Sequence, residues 1–155
     1  MRVRVIAVGT RMPSWVRSAC DEYLTRLRGS LTVALTEIEP ASRRTYGAPQ
    51  AISREGEQLL AALQPADHVI ALDERGRELT TRELAAWLGS RMQQGEDLAF
   101  LIGGPDGLAP EVLSRSDFTL ALSRLTLPHA LARVLLAEQL YRAHGILVNH
   151  PYHRD

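Results

Sequence analysis

Two short stretches, Val69-Ile70-Ala71-Leu72 and Leu98-Ala99-Phe100-Leu101-Ile102, are apolar at every position. In a strand, successive side chains face opposite sides of the sheet. A strand apolar on both sides has to be covered on both, which is the condition of a parallel sheet held between helices. That requirement organises the rest of the chain. Val3, Val5 and Val8 belong to a strand that stops at Gly9. Leu31, Val33 and Leu35 alternate with polar or small residues in another, closed by Pro40, and Phe118-Thr119-Leu120-Ala121-Leu122 forms a fifth.

Helical periodicities fill the intervals. Pro13 opens a helix in which Trp15, Ala19, Tyr23 and Leu27 recur every fourth position, beside Val16, Cys20 and Leu24, until Gly29 ends it. Residues 41–50, with Arg43, Arg44, Tyr46 and Gly47, read as a loop, either a solvated connection or a contact for RNA. Ile52, Leu59, Leu60 and Leu63 share a helix face, and 73–77 reads as a turn. Thr80 and Glu83 have capping-box spacing and start a helix that runs through Leu84, Trp87, Leu88 and Met92 to Gly95. A short helix spans Pro110 to Arg115; a last one starts near Pro128, where proline favours a first turn, and runs to about Gly145. The order βαβαβαβαβα predicts an α/β fold with a mainly parallel sheet and helices on both faces.

The chain of 155 residues suits a single domain, 1–155. Such a length buries about 70% of the surface exposed by the unfolded chain, so no staple is required. Cys20 is the only cysteine and reads as a small buried hydrophobe. No Cys/His cluster has zinc spacing, so no metal is expected. The N-terminal apolar stretch is too short for a signal peptide and no run approaches a membrane span, so a soluble cytoplasmic protein is expected.

With 18 basic and 18 acidic residues, the net charge of zero argues against a bulk polyelectrolyte binder. The basic groups are instead local. Arg133, Arg142, Arg154 and four of the five histidines follow residue 128. The chain closes with Asn149-His150-Pro151-Tyr152-His153-Arg154-Asp155, side chains that donate hydrogen bonds, stack on bases and move protons near neutral pH. Gly103-Gly104-Pro105-Asp106-Gly107 follows a buried strand, where open α/β sheets place ligands; it is equally good turn chemistry. It is neither G-x-G-x-x-G nor a phosphate loop ending in Gly-Lys-Ser/Thr, which counts against a nucleotide-binding oxidoreductase. Ser123-Arg124-Leu125-Thr126-Leu127-Pro128-His129 is unusually apolar for a connection and suits either internal packing or the wall of a pocket for a flat ligand. His129 and Arg133 share a helix face, as do Glu138 and Arg142. Arg133 and Arg142 point to opposite faces and cannot line one pocket within a single subunit, though they could serve a site shared across a dimer.

Leu101 to Gly107, Leu125 to His129, Glu138-Gln139-Leu140-Tyr141-Arg142-Ala143 and His150 to Arg154 together resemble the RlmH (YbeA-type) family, SPOUT-class methyltransferases that methylate N3 of a pseudouridine in bacterial 23S rRNA. Ala7-Val8-Gly9-Thr10 and Glu55-Gly56-Glu57 extend the resemblance over essentially the whole chain; Asp106 departs from the Glu of many members but keeps the charge. The resemblance implies a C-terminal trefoil knot and a homodimer with its active site at the subunit interface. It implies S-adenosylmethionine between the strand end at Leu72, the Gly103-Gly104 loop and the loop Ser123, Arg124, Leu125, Thr126, Leu127 and Pro128. The implied substrate is the assembled ribosome, and no metal is implied. Removal of the imide proton at N3 calls for a base, and His153 and His129 are the candidates, His153 favoured because a tail can close over bound substrate. Tyr152 is placed to stack on or hydrogen-bond the base, and Arg154, Arg142 and Arg133 to hold phosphates or a developing anion. A ribosome-associated factor that kept the fold without activity is the competing expectation.

Overall fold

The computed structural model describes residues 1–27 and 29–154. Five strands form one sheet: β1 (Arg2–Val8), β2 (Thr32–Ile38), β3 (Asp67–Glu78), β4 (Asp97–Ile102) and β5 (Phe118–Ala121). Their order is β2-β1-β4-β3-β5, and every pairing is parallel. The helices are α1 (Ser14–Arg26), α2 (Arg43–Tyr46), α3 (Ala48–Ala61), α4 (Thr81–Gln93), α5 (Pro110–Arg115) and α6 (His129–Leu147).

The alternation of side chains along the central strands divides the core. Val3, Val5, Ile70, Leu98 and Phe100 face one side, where Leu84 and Leu88 of α4 and Leu136 and Leu140 of α6 cover them. Ile6, Val8, Val69, Ala71 and Leu101 face the other, under Leu59 of α3 and Val112 of α5. The expected α/β architecture, with a parallel sheet covered on both faces, is thus the one observed. Gly56 lets α3 and α5 touch, since a Cβ there would lie 2.9 Å from the Ala109 side chain.

Two segments depart from expectation. Residues 41–50 are not a loop. Ser42 accepts from the Thr45 N–H at 3.1 Å and starts α2, Gly47 at φ +76 ends it, and a proline in the first turn opens α3 at once. Residues 73–77 are not a simple turn either. They belong to β3, whose register on β5 slips between Leu72 and Arg77. At the slip Gly76 comes so close that a Cβ would lie 2.7 Å from the Thr119 carbonyl oxygen.

The capping box of α4 is complete: Thr80 and Glu83 each accept from the other's backbone N–H, at 3.1 and 2.7 Å. At the end of α6, Asn149 takes φ +57, and the N–H groups of Asn149 and His150 donate to the carbonyls of Ile146 and Gly145 at 3.3 and 2.7 Å. That pattern is a Schellman stop. It reverses the chain, so the tail runs back beside α6 rather than away from it.

Candidate active site

A cavity of about 800 Å³ opens at the carboxyl ends of β3, β4 and β5. The volume is that of a small-molecule site, and the position is the usual one in a parallel sheet. Leu72 to Arg75 line it from β3, Ile102 to Leu108 from the segment after β4, and Leu122, Ser123 and Leu125 to His129 from the segment after β5. Leu72, Gly103, Gly104, Ser123, Leu125, Thr126, Leu127 and Pro128 therefore come together around one space. Arg124 does not join them; its side chain is 87% exposed, and its Nε lies 3.9 Å from Glu78 Oε1.

Gly103 has no room for a side chain. A Cβ on Gly103 would lie 2.6 Å from the backbone carbon and oxygen of Gly107. The turn Gly104-Pro105-Asp106-Gly107 closes through the Gly107 N–H on the Gly104 carbonyl at 3.1 Å, with Gly107 at φ +82. It is both a turn and a cavity wall. Across the mouth, Thr126 Oγ1 donates to Glu74 Oε2 at 2.7 Å and ties the last loop to β3. Ser123 Oγ accepts from the Leu125 N–H at 2.9 Å, and the Leu125 side chain is left 74% exposed at the rim.

His129 begins α6 and lines the cavity. Burial and then the neighbouring Arg133 charge lower its pKa, only partly countered by a hydrogen bond with the Val8 backbone, so its imidazole is neutral near pH 7. Arg133 itself is 2% exposed. It donates to Glu37 Oε2 at 2.6 Å, to the Gly9 carbonyl at 2.6 Å and to the Val8 carbonyl at 3.2 Å. The guanidinium thus joins the start of α6 to the ends of β1 and β2.

The remaining candidates gather elsewhere. Glu138 accepts from Arg142 Nε at 2.7 Å, from Gln139 Nε2 at 2.7 Å and from the Tyr152 hydroxyl at 3.2 Å. The Arg142 guanidinium lies 4.7 Å from the Tyr152 ring centre, and the Tyr141 and Tyr152 rings are 4.5 Å apart. Burial first, and then a hydrogen bond with Tyr23, push the Tyr152 phenol up to about 12, so it is a donor and not a base at neutral pH. His153 follows half-buried and Arg154 exposed. α6 has 19 residues, about 28 Å of helix; His129 is its first, and the tail cluster packs on the second half, from Glu138, about 14 Å along, onward. A single chain therefore separates the cavity from Arg142, Tyr152, His153 and Arg154. Among the described residues no group of His, Cys, Asp and Glu could hold a metal, and no helix is long and apolar enough to cross a membrane.

Sequence reasoning missed six contributors, in three groups. Glu138 was legible only as half of a helix ion pair, although it is the hub of the tail cluster. Asp73, Glu74 and Arg75 line the cavity because β3 continues past Leu72. Arg43 and Glu55 form an ion pair against the glycine turn. The signal for the last was present, since Glu55 occupies the same apolar helix face as Ala51 and Leu59.

A parallel α/β sheet with a glycine-lined cavity beside the final helix is the setting of a small-molecule site, and the sequence gives its class, a methyltransferase. A family described as "Predicted SPOUT methyltransferase" matches residues 1–153, and the chain belongs to that family. Ribosomal RNA large subunit methyltransferase H of Thiobacillus denitrificans is 51% identical over the full length of both chains. The protein of the same name from Burkholderia mallei is 48% identical over 99% of each chain. Among solved structures, a probable methyltransferase from Bordetella pertussis Tohama I aligns with a TM-score of 0.60 at 22% identity, covering 92% of this chain and 93% of its own. A probable methylase family protein from Haemophilus influenzae Rd KW20 aligns at 0.57 and 17% identity, covering 99% and 70%. At those identities the two structures speak for the fold alone.

Proposed function

We propose that this methyltransferase transfers the methyl group of S-adenosylmethionine to N3 of a pseudouridine in large-subunit rRNA. In this reading it acts on assembled ribosomes in the cytoplasm as a homodimer. The rRNA assignment rests on the full-length relatives named as large-subunit rRNA methyltransferases. The observation that carries the site assignment is the cavity at the strand ends, walled on one side by a glycine turn packed tightly on itself.

The residues present fit the cofactor. Leu72, Ile102, Leu122 and Leu127 give apolar walls for a flat base, and the glycine segment brings bare backbone to the cavity. Of the carboxylates around it, Asp73 and Asp106 are paired with Arg75 and Arg43, while Glu74 accepts from the neutral Thr126 hydroxyl and offers negative charge to a cationic ligand. Bound there, S-adenosylmethionine would supply an electrophilic sulfonium methyl group.

The chain's own residues would then align the nucleophile and take its proton. Neutral His129 stands at the cavity. His153 belongs to the tail, which packs on the second half of α6 and does not line this cavity. A second copy lying antiparallel would bring its tail to this cavity, with Tyr152 donating to the base or stacking on it, and Arg154 and Arg142 holding phosphate or anion. α6 favours that arrangement. Leu131, Val134 and Leu135 fall at i, i+3 and i+4, are only partly buried, and pack into neither core. A C-terminal trefoil knot, formed as α6 returns from the β5 edge to pack on α1 and α4, belongs to the same proposal.

Mixing two inactive variants tests the shared site. Gly103→Ala disables the cavity and deletion of 152–155 disables the tail. Co-refolded mixed dimers should recover about a quarter of the wild-type sites, because half of the dimers are mixed and each has one intact site. No recovery, with both variants folded, would refute a site built from two subunits.

A further inference from the structure

Arg43 does not line the cavity, yet it is tied to the wall that does. Its anchor is Glu55 of α3, which is 2% exposed. A buried carboxylate needs compensation. Glu55 receives it from Arg43 Nη1 in a short ion pair, from Arg43 Nη2 at 3.0 Å and from the Ala41 N–H at 3.0 Å. Arg43 Nη1 also donates to the Ala41 carbonyl at 3.0 Å. That leaves Nε on the outer edge of the same rigid plane, and it donates to Asp106 Oδ2 at 3.0 Å. One guanidinium therefore joins a buried helix carboxylate to the tip of the glycine turn. Gly104 rests against this pair; a Cβ there would lie 3.5 Å from Glu55 Oε1 and 3.7 Å from Arg43 Nη2.

The two halves of the clamp differ in kind. The Glu55 half is dry and fixed. The Asp106 half is partly solvated and contributes little to stability, as exposed pairs do. What it supplies is direction, because the planar fork can meet Asp106 only along one line once Glu55 has set its plane. Lysine has no such plane. From this we infer that Arg43 is a positioning residue for the cofactor cavity. Seated on Glu55, it holds Asp106 and so fixes the Gly103–Leu108 segment in the shape the cofactor meets. The inference rests on the cavity being the S-adenosylmethionine site.

The test removes the buried pair as a unit, so that no charge is stranded. Arg43→Gln/Glu55→Gln should bind S-adenosylmethionine about tenfold more weakly by calorimetry, the cost of losing a preorganised wall. KM for the cofactor should rise in parallel, while kcat at saturating cofactor stays within about twofold. Asp106→Asn alone should weaken binding, and adding it to the double variant should weaken it no further, since Asp106 acts through Arg43. Arg43→Lys, with its charge kept and its fork lost, should behave like the double variant. Amide exchange at 104–107 should quicken in every variant. If the double variant fails to fold, Asp106→Asn and Arg43→Lys decide. Wild-type affinity in the variants, or an additive loss from Asp106→Asn, would overturn the role of Arg43. No binding by the wild-type protein would overturn the cofactor reading itself, and the inference with it.

Discussion

Replacing Arg133 with leucine removes a cation that is 2% exposed and hydrogen-bonded to Glu37, Gly9 and Val8. Breaking a buried pair from one side costs about 3–5 kcal/mol, chiefly because the partner is left uncompensated. Glu37 retains 33% exposure, so water takes up part of its charge, and an expectation of about 2–4 kcal/mol follows. The Gly9 carbonyl accounts for part of it, as a buried acceptor that loses the Arg133 donor, while the Val8 carbonyl keeps its hydrogen bond with His129. At about 2–4 °C per kcal/mol for a chain of this size, Tm should fall by roughly 5–15 °C. Glu37→Gln keeps an acceptor in place but leaves the buried Arg133 cation with neutral acceptors only, so it should cost a similar amount. Urea unfolding followed by tryptophan fluorescence, at one fixed protein concentration because the proposed dimerisation would add to stability, measures both. A loss within about 0.5 kcal/mol for Arg133→Leu would refute the reasoning. It would mean that the guanidinium is solvated and available to substrate instead of locked to the ends of β1 and β2.

Three further outcomes are expected. Gly103→Ala pushes a Cβ to within 2.6 Å of the Gly107 backbone, so cofactor affinity should drop by at least about tenfold; an unchanged Kd would mean that the wall is not in contact with the ligand. Burial lowers the pKa of both His129 and His144, so the unfolded chain binds more protons below the ordinary value near 6.5. Stability should therefore be fully present above that value and be lost as pH falls below it, with a shallower loss in His144→Gln, and denaturant midpoints between pH 7.5 and 5.5 would show it. Leu135→Glu should convert the proposed dimer to a folded monomer in light scattering; a dimer of unchanged affinity would move the interface away from α6.

The sheet was legible because burial on two faces leaves short, continuously apolar runs, and four or five residues is strand length and too short for a buried helix. Val69 to Leu72 and Leu98 to Ile102 had to be central, and β3 and β4 are. Strand order was not legible, since it depends on which crossover packs against which face. Residues 41–50 were misread because Arg43, Arg44 and Tyr46 show no apolar period. Their helix depends on a cap at Ser42 and a stop at Gly47 rather than on a buried stripe. Residues 73–77 look like a turn because charge dominates them, yet they stay in the strand where the ladder slips around Gly76. At the site, the loops after β4 and β5 were identifiable from glycine and from misplaced leucines. Arg133 and Arg142 were correctly opposed on α6, a direct consequence of helical geometry. The partners of Arg133, by contrast, come from the ends of β1 and β2 and could not be read from spacing. The same holds for the clamp from Arg43 to Asp106, residues 63 positions apart.

The most direct test of the account is transfer of labelled methyl from S-adenosylmethionine to bacterial ribosomes lacking this modification, with the labelled nucleoside identified. The account predicts N3-methylpseudouridine in large-subunit rRNA, with transfer abolished by Gly103→Ala and strongly reduced by His153→Ala. Label at another nucleoside, or no label on those ribosomes while the cofactor still binds, would contradict it.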